Sequence, residues 1–173
     1  MTNVRVIVVD KNDVELGFLP KMEVHEKGIL HRAISVFLID KQGHWILQQR
    51  AFNKYHSSGL WTNTSCSHPF PNENTHYAAV RRLNEEMGIE CDLSFAFKFL
   101  YNEVLANNLI EHELDHIYVG LTEKIPVPNE LEVNSWKKMT FSEIHDDVKE
   151  NPDNYTVWFK LLYQEVNLWI ENR

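Results

Sequence analysis

The stretch Thr64-Ser65-Cys66-Ser67-His68-Pro69 places a thiol two residues from an imidazole. Shortly after it comes a run with helical spacing that closes in Arg81-Arg82-Leu83-Asn84-Glu85-Glu86-Met87-Gly88. A thiol can carry a proton or attack carbon, an imidazole can bind a metal, and a carboxylate pair at a helix end can hold a hard cation. Their closeness in sequence predicts a site, and the rest of the chain supplies matching parts.

A second constellation is His112-Glu113-Leu114-Asp115-His116, which matches H-E-x-x-H, the zinc-protease motif. That motif requires a helix, so that the two histidines share one face. Here the run continues into Ile117-Tyr118-Val119-Gly120-Leu121-Thr122, which favours a strand. In a strand Glu111, Glu113 and Asp115 point to one side, and His112 and His116 to the other. The strand is the favoured reading, and it gathers carboxylates rather than histidines.

The elements that must position these groups follow from residue periodicity. Val4 to Val9 reads as a strand rich in β-branched residues. Ala33 to Asp40 and His44 to Arg50 form a hairpin around Lys41-Gln42-Gly43. Residues 51–72 read as irregular, punctuated by Gly59, Pro69 and Pro71. Thr75 to Met87 is a helix with Tyr77, Ala78, Val80 and Leu83 at helical spacing and Gly88 at its end. Strands are expected at about 94–104, 113–122 and 132–138, with Ile125-Pro126-Val127-Pro128 as a loop. Phe141 to Lys149 is a short helix. Tyr155 to Trp169 is a longer one, with Trp158, Leu161, Leu162 and Val166 on one face. The order predicts an α/β sandwich, a mixed sheet with flanking helices, in one domain over residues 1–173.

The bulk numbers agree with that class. The chain has 173 residues, 43% hydrophobic and 24% charged, as in ordinary globular proteins. A net charge of −8 speaks against nucleic acid, yet leaves room for an anionic small molecule in a local basic pocket. Only Cys66 and Cys91 are present, so no disulfide framework is expected, and Cys91 is assigned no chemistry. No apolar run approaches the ~20 residues of a membrane span, and Met1-Thr2-Asn3-Val4-Arg5 does not read as a signal peptide. A cytoplasmic protein is the expectation, with no membrane partner and an oligomeric state left open.

Glu73, Arg81, Glu85, Glu86 and Gly88 stand at spacings that resemble the Nudix box, G-x5-E-x7-R-E-U-x-E-E-x-G-U with U aliphatic. Ser67 replaces the first Gly of the box and Arg82 its second Glu. A lost acid counts against diphosphate hydrolysis, and a cation there favours direct contact with phosphate oxygens. More of the chain, from about Lys21 to Trp158, resembles one branch of that superfamily, the type 1 isopentenyl-diphosphate delta-isomerases. The matching pieces are Lys21-x3-His25-x5-His31-Arg32-Ala33, Gln49-Arg50-Ala51-x2-Lys54, Gly59-Leu60-Trp61-Thr62-Asn63, Cys66-x-His68-Pro69, Arg81-Arg82-x3-Glu86-x-Gly88, Glu111-x-Glu113 and Tyr155-x2-Trp158. Ser67 and Asn72 stand where that family commonly has Gly; both are small or turn-tolerant replacements, and the effect of Ser67 on the backbone path at the thiol is left open.

The resemblance implies a Nudix-like α/β/α sandwich and the interconversion of isopentenyl and dimethylallyl diphosphate through a carbocation. It implies Cys66 and Glu113 as proton carriers on opposite faces of the substrate, with Tyr101 beside Glu113 and the Trp158 ring against the cation. Lys21, Arg50, Lys54 and Arg82 resemble the diphosphate clamp. His25, His31, His68, Glu111 and Glu113 resemble the ligands of a tightly bound Mn²⁺, Zn²⁺ or Mg²⁺, and Glu86 would help hold a Mg²⁺ that arrives with the diphosphate. The remaining histidines, His44, His56, His76, His112, His116 and His145, are given ordinary surface or core roles. The alternatives are a Nudix diphosphate hydrolase and a catalytically silent Nudix-fold binding module.

Overall fold

The computed structural model describes residues 4–173. Strands β1 (Arg5–Val9) and β2 (Glu15–Pro20) form an antiparallel hairpin that runs straight into helix α1 (Lys21–Lys27). Then follow β3 (His31–Ile39), β4 (Trp45–Arg50), β5 (Trp61–Thr62), β6 (Ser65–Ser67), α2 (Thr75–Met87), β7 (Leu93–Val104), β8 (Ile110–Leu121) and β9 (Val133–Met139). Helices α3 (Phe141–Glu150) and α4 (Val157–Glu171) close the chain. Among the described residues the strands make one nine-stranded mixed sheet. No helix among them is long and apolar enough to cross a membrane.

Strand β3 is the organising element. β8 runs parallel to it along its whole length, from His31↔Glu113 to Ile39↔Leu121. Its antiparallel partners come in turn: β1 at His31, β6 at residues 34–36, and β4 at Leu38 and Ile39 alone. The expected 33–50 hairpin is therefore closed only next to its turn. Buried Thr64 stands where it opens, its Oγ1 donating to Ile46 O (2.6 Å) and accepting from Leu38 N (2.9 Å). One hydroxyl satisfies a donor and an acceptor that a continuous ladder would have paired, so the strands separate without orphaned backbone groups. β6, carrying Cys66, lies along β3 just past this opening.

Side chains alternate across the sheet as a period of two requires. Ile34, Val36, Leu38 and Ile46 pack on Ala78, Ala79, Leu83 and Met87 of α2. Phe37, Trp45, Leu47, Tyr101, Ile117 and Val119 pack on Ile144, Trp158, Phe159 and Leu162 of α3 and α4. This is the expected α/β/α sandwich, with two details corrected. Tyr77 is exposed, because the face of α2 that meets β3 is built from Ala78, Ala79, Leu83 and Met87. Leu161 sits at the margin of α4, where Phe159 and Tyr163 join Trp158, Leu162 and Val166 in the core.

The ends of two helices are fixed by local chemistry. At the end of α2, Gly88 has φ +64°, and a Cβ there would meet Val127 O at 2.6 Å. The loop around Pro126 and Pro128 closes on this end, with Val127 N and Asn129 N donating to Met87 O and Glu86 O. These bonds satisfy carbonyls that a helix terminus leaves free. α4 begins two residues later than expected, because Thr156 caps it by accepting from Phe159 N, while its own N–H donates to Trp61 O of β5. That contact sets Trp158 over the sheet.

Candidate active site

Four buried side chains from four elements converge: His25 of α1, His31 at the head of β3, His68 just past β6, and Glu113 of β8. One donor atom from each lies within 4.8 Å of the others. The parallel register of β3 and β8 sets His31 beside Glu113. Glu113 Oε1 is 2.8 Å from His68 Nε2 and 3.4 Å from His31 Nε2.

The backbone fixes two of the ring orientations. Nδ1 of His31 donates to Ile29 O at 2.8 Å, and Nδ1 of His25 to Ile110 O at 3.2 Å. Each Nε2 then carries a lone pair, the state a metal ligand needs, and such outer bonds are how ligating imidazoles are held. His25 Nε2 is buried with no hydrogen-bond partner. Burial, reinforced by nearby His31, lowers the His25 pKa to about 4, and burial puts His68 well below its usual range. Burial works against ionisation of Glu113, yet the adjacent His31 and His68 hold its carboxyl well below the usual value. Three converging imidazoles, the Glu113 carboxylate and an orphaned buried nitrogen fit a divalent cation.

Glu111, two residues along the same face of β8, is not part of that four-residue cluster. Its Oε1 lies 3.8 Å from His25 Nδ1 and 3.3 Å from His56 Nε2. Burial and the neighbouring Glu113 push its carboxyl well above the usual range.

A cleft of about 600 Å³, open mouth included, borders this cluster. It is lined by Cys66, Tyr101, Glu113 and Trp158, by Lys21, Arg50, Lys54 and Arg82, and by His68, Glu86 and Glu111. His25 and His31 lie behind this wall, fully buried. The structure thus brings every residue expected in the site to one place.

Tyr101 donates from its hydroxyl to Glu113 Oε2 at 2.6 Å. Cys66 faces the cleft from β6, and burial pushes its thiol up to about 12, against the opposing pull of Arg50, whose Nη1 lies 3.9 Å from Sγ. The Arg50 guanidinium also lies 5.3 Å from the centre of the Trp158 ring, whose Nε1 donates to Asn63 Oδ1. Buried Glu86 accepts from Gln48 and from Arg82, which also reaches Glu85 and Glu132. Lys54 pairs with Glu132. Arg82 and Lys54 are therefore matched by acids, whereas Arg50 donates to the carbonyls of His56 and Ser57.

The H-E-x-x-H stretch lies in β8. His112 donates to Gly28 O, and His116 contacts Asp13, both away from Glu113. Asn72 adopts φ +65°, a left-handed conformation that asparagine tolerates better than most residues. Ser67, in β6, pairs with Ile34 and is not among the positive-φ residues, so the path at the thiol is extended. His56, given an ordinary role from sequence, lines the cleft, as do Gln48 and Glu132. No spacing in the sequence marks these three. They are recognised only once the loop after β4 is folded.

A mixed sheet between helices, with an acid-rich helix end beside a cation-lined cleft, defines a Nudix-type protein, and the Nudix domain model matches residues 29–159. Among solved structures, DR0079 of Deinococcus radiodurans has a TM-score of 0.78 at 14% identity, covering 93% of this chain and 98% of its own. The isopentenyl-diphosphate Delta-isomerase 2 of Aromatoleum aromaticum is 48% identical over 89% of this chain and 82% of its own. That of Photorhabdus laumondii is 44% identical over 95% and 96%. The isopentenyl-diphosphate Delta-isomerase of Burkholderia multivorans is 41% identical over 98% and 96%. The chain belongs to the isopentenyl-diphosphate Delta-isomerases of the Nudix superfamily.

Proposed function

We propose that this protein interconverts isopentenyl and dimethylallyl diphosphate by adding a proton at one carbon and removing one from another, through a tertiary carbocation. One observation carries this reading: a thiol, Cys66, and a carboxylate, Glu113, line the same cleft from the two strands that flank β3. A proton-in, proton-out reaction needs one group of each kind. A turnover leaves their protonation states exchanged, and exchange with solvent restores them. Tyr101 holds Glu113 in place through its 2.6 Å hydrogen bond. Trp158 presents a π face to the developing cation, worth about 2 kcal/mol or more when water is excluded. Lys21, Arg50, Lys54 and Arg82 take the diphosphate.

His25, His31, His68 and Glu113, with Glu111 alongside, would hold a tightly bound Mn²⁺, Zn²⁺ or Mg²⁺. Such an ion would neutralise the buried carboxylates and fix Glu113. A Mg²⁺ arriving with the diphosphate would sit by Glu86. Two unpaired cysteines suit a reducing compartment such as the cytoplasm. Residues 1–173 would act as one domain.

The test is incubation with isopentenyl diphosphate and Mg²⁺ in D₂O. An acid-labile allylic product should form, with deuterium at the carbons flanking the migrated double bond. Cys66→Ala should abolish turnover, and Cys66→Ser should slow it by orders of magnitude, a hydroxyl being a poor proton carrier near neutral pH. Wild-type turnover and the same labelling in Cys66→Ala would sink the mechanism.

A further inference from the structure

His56 carries more than the sequence suggests. Its side chain is 8% exposed, and its Nε2 lies 3.3 Å from Glu111 Oε1. Its ring sits between His25 and Trp158, with centroids 5.8 and 6.0 Å away. Glu111 Oε1 is itself buried and lacks an aligned hydrogen-bond donor. The segment is firmly placed: Arg50 donates from Nε to Ser57 O at 3.2 Å and from Nη2 to His56 O at 3.3 Å. Ser57 has φ +50°, a conformation that a non-glycine residue keeps where its surroundings impose it. Its Oγ lies 3.2 Å from His56 Nδ1.

We infer that His56 is a positioning residue of the metal centre, holding Glu111 in register with the His25, His31, His68 and Glu113 cluster through the 3.3 Å contact of its Nε2 with Oε1. With Nδ1 accepting from the Ser57 hydroxyl 3.2 Å away, the ring proton would stand on Nε2, on the side of the carboxylate. Outer partners of this kind orient ligands and sharpen metal affinity. Because Arg50 grips the His56 and Ser57 carbonyls, the guanidinium assigned to the diphosphate also sets where this imidazole stands. The inference rests on the proposed reading of the site and adds to it a residue outside the metal-ligand set.

The experiment titrates chelator-stripped protein with Mn²⁺ alone and measures free Mn²⁺ by electron paramagnetic resonance. His56→Ala should weaken binding by about 10- to 100-fold, the usual effect of losing an outer partner. His56→Gln, whose amide can donate from near the Nε2 position, should regain most of that loss. Circular dichroism establishes the fold of each variant. Should the alanine variant not fold, His56→Asn, too short to reach Glu111, takes its place. Equal affinity in wild type and the truncated variant, no rescue by Gln, or no Mn²⁺ uptake by wild type would overturn the inference. His56-dependent Mn²⁺ binding in a protein that failed to isomerise would uphold it while removing the proposed activity. An active isomerase whose Mn²⁺ affinity ignored residue 56 would do the reverse.

Discussion

Arg82 stands where the Nudix box has Glu, and replacing it with Gln should expose what that exchange did. Its side chain is 17% exposed and bonds Glu86 at 2.7 and 3.1 Å, Glu85 at 2.8 Å and Glu132 at 3.1 Å. In Arg82→Gln, Glu132 keeps Lys54, but buried Glu86 keeps only the Gln48 amide among its side-chain donors. Breaking a buried ion pair costs about 3–5 kcal/mol, and the partial exposure of Arg82 argues for the lower end, about 3 kcal/mol. For a protein of this length that is about 6–12 °C in Tm. Burial already raises the Glu86 carboxyl, and Arg82 opposes that rise, so the variant's carboxyl is raised further. A carboxyl harder to ionise when folded binds more protons in the folded state. Its stabilising contribution is full below the unfolded value, about 4.3, and is lost as pH rises through the folded one. The deficit of Arg82→Gln should therefore be small near pH 5 and widen toward pH 7.5. Paired thermal melts at the two pH values measure it, and KM for the diphosphate should rise in parallel. A deficit equal at both pH values would refute this account of the Arg82–Glu86 pair.

Tyr101→Phe removes one hydrogen bond to an ionised carboxylate, about 1.5–3 kcal/mol, and should lower kcat by about 10- to 150-fold with little change in KM. An unchanged kcat would mean that Tyr101 does not act through Glu113. His68→Ala should strip divalent metal from the purified protein, whereas His112→Gln and His116→Gln should keep it, as metal analysis of all three will show. Loss of the ion from both folded Gln variants would place the metal on the H-E-x-x-H stretch instead. With Arg82 in the box position, the wild type should release little or no phosphate from nucleoside diphosphate derivatives in a colorimetric assay, and robust Glu86-dependent release would favour the hydrolase.

The readable parts of the sequence were those where one face is buried along a full element. Ala78, Leu83 and Gly88 give α2 its bounds, and the β-favouring run after Asp115 separates β8 from a helix. Four short elements of the N-terminal half, β2, α1, β5 and β6, were not readable. β2 is largely half-exposed and holds Gly17 and Pro20, so no alternation marks it. α1 spans seven residues, fewer than a helix needs to stand alone, and buries Val24 and His25 against the rest of the fold. β5 and β6, two and three residues long, disappeared into a stretch read as irregular. The site residues were legible through their resemblance to a family, not through local pattern. His56 was not legible at all, because its partners, Glu111, Arg50 and Trp158, meet only across the folded cleft.

With a cation bound to it, the His/Glu cluster would make the parallel pairing of β3 with β8 a checkpoint in folding. That pairing joins segments far apart in sequence and is the kind of contact that forms slowly. A slip of one residue would turn Glu111, Glu113 and Asp115 outward and bring His112 and His116 in, leaving His31 and His68 without their carboxylate. A cation that binds only the correct register stabilises it alone, by about 2.7 kcal/mol when its concentration is a hundred times its Kd. Metal supply during synthesis would then govern how much of this chain reaches the right topology, as well as how much of it is active.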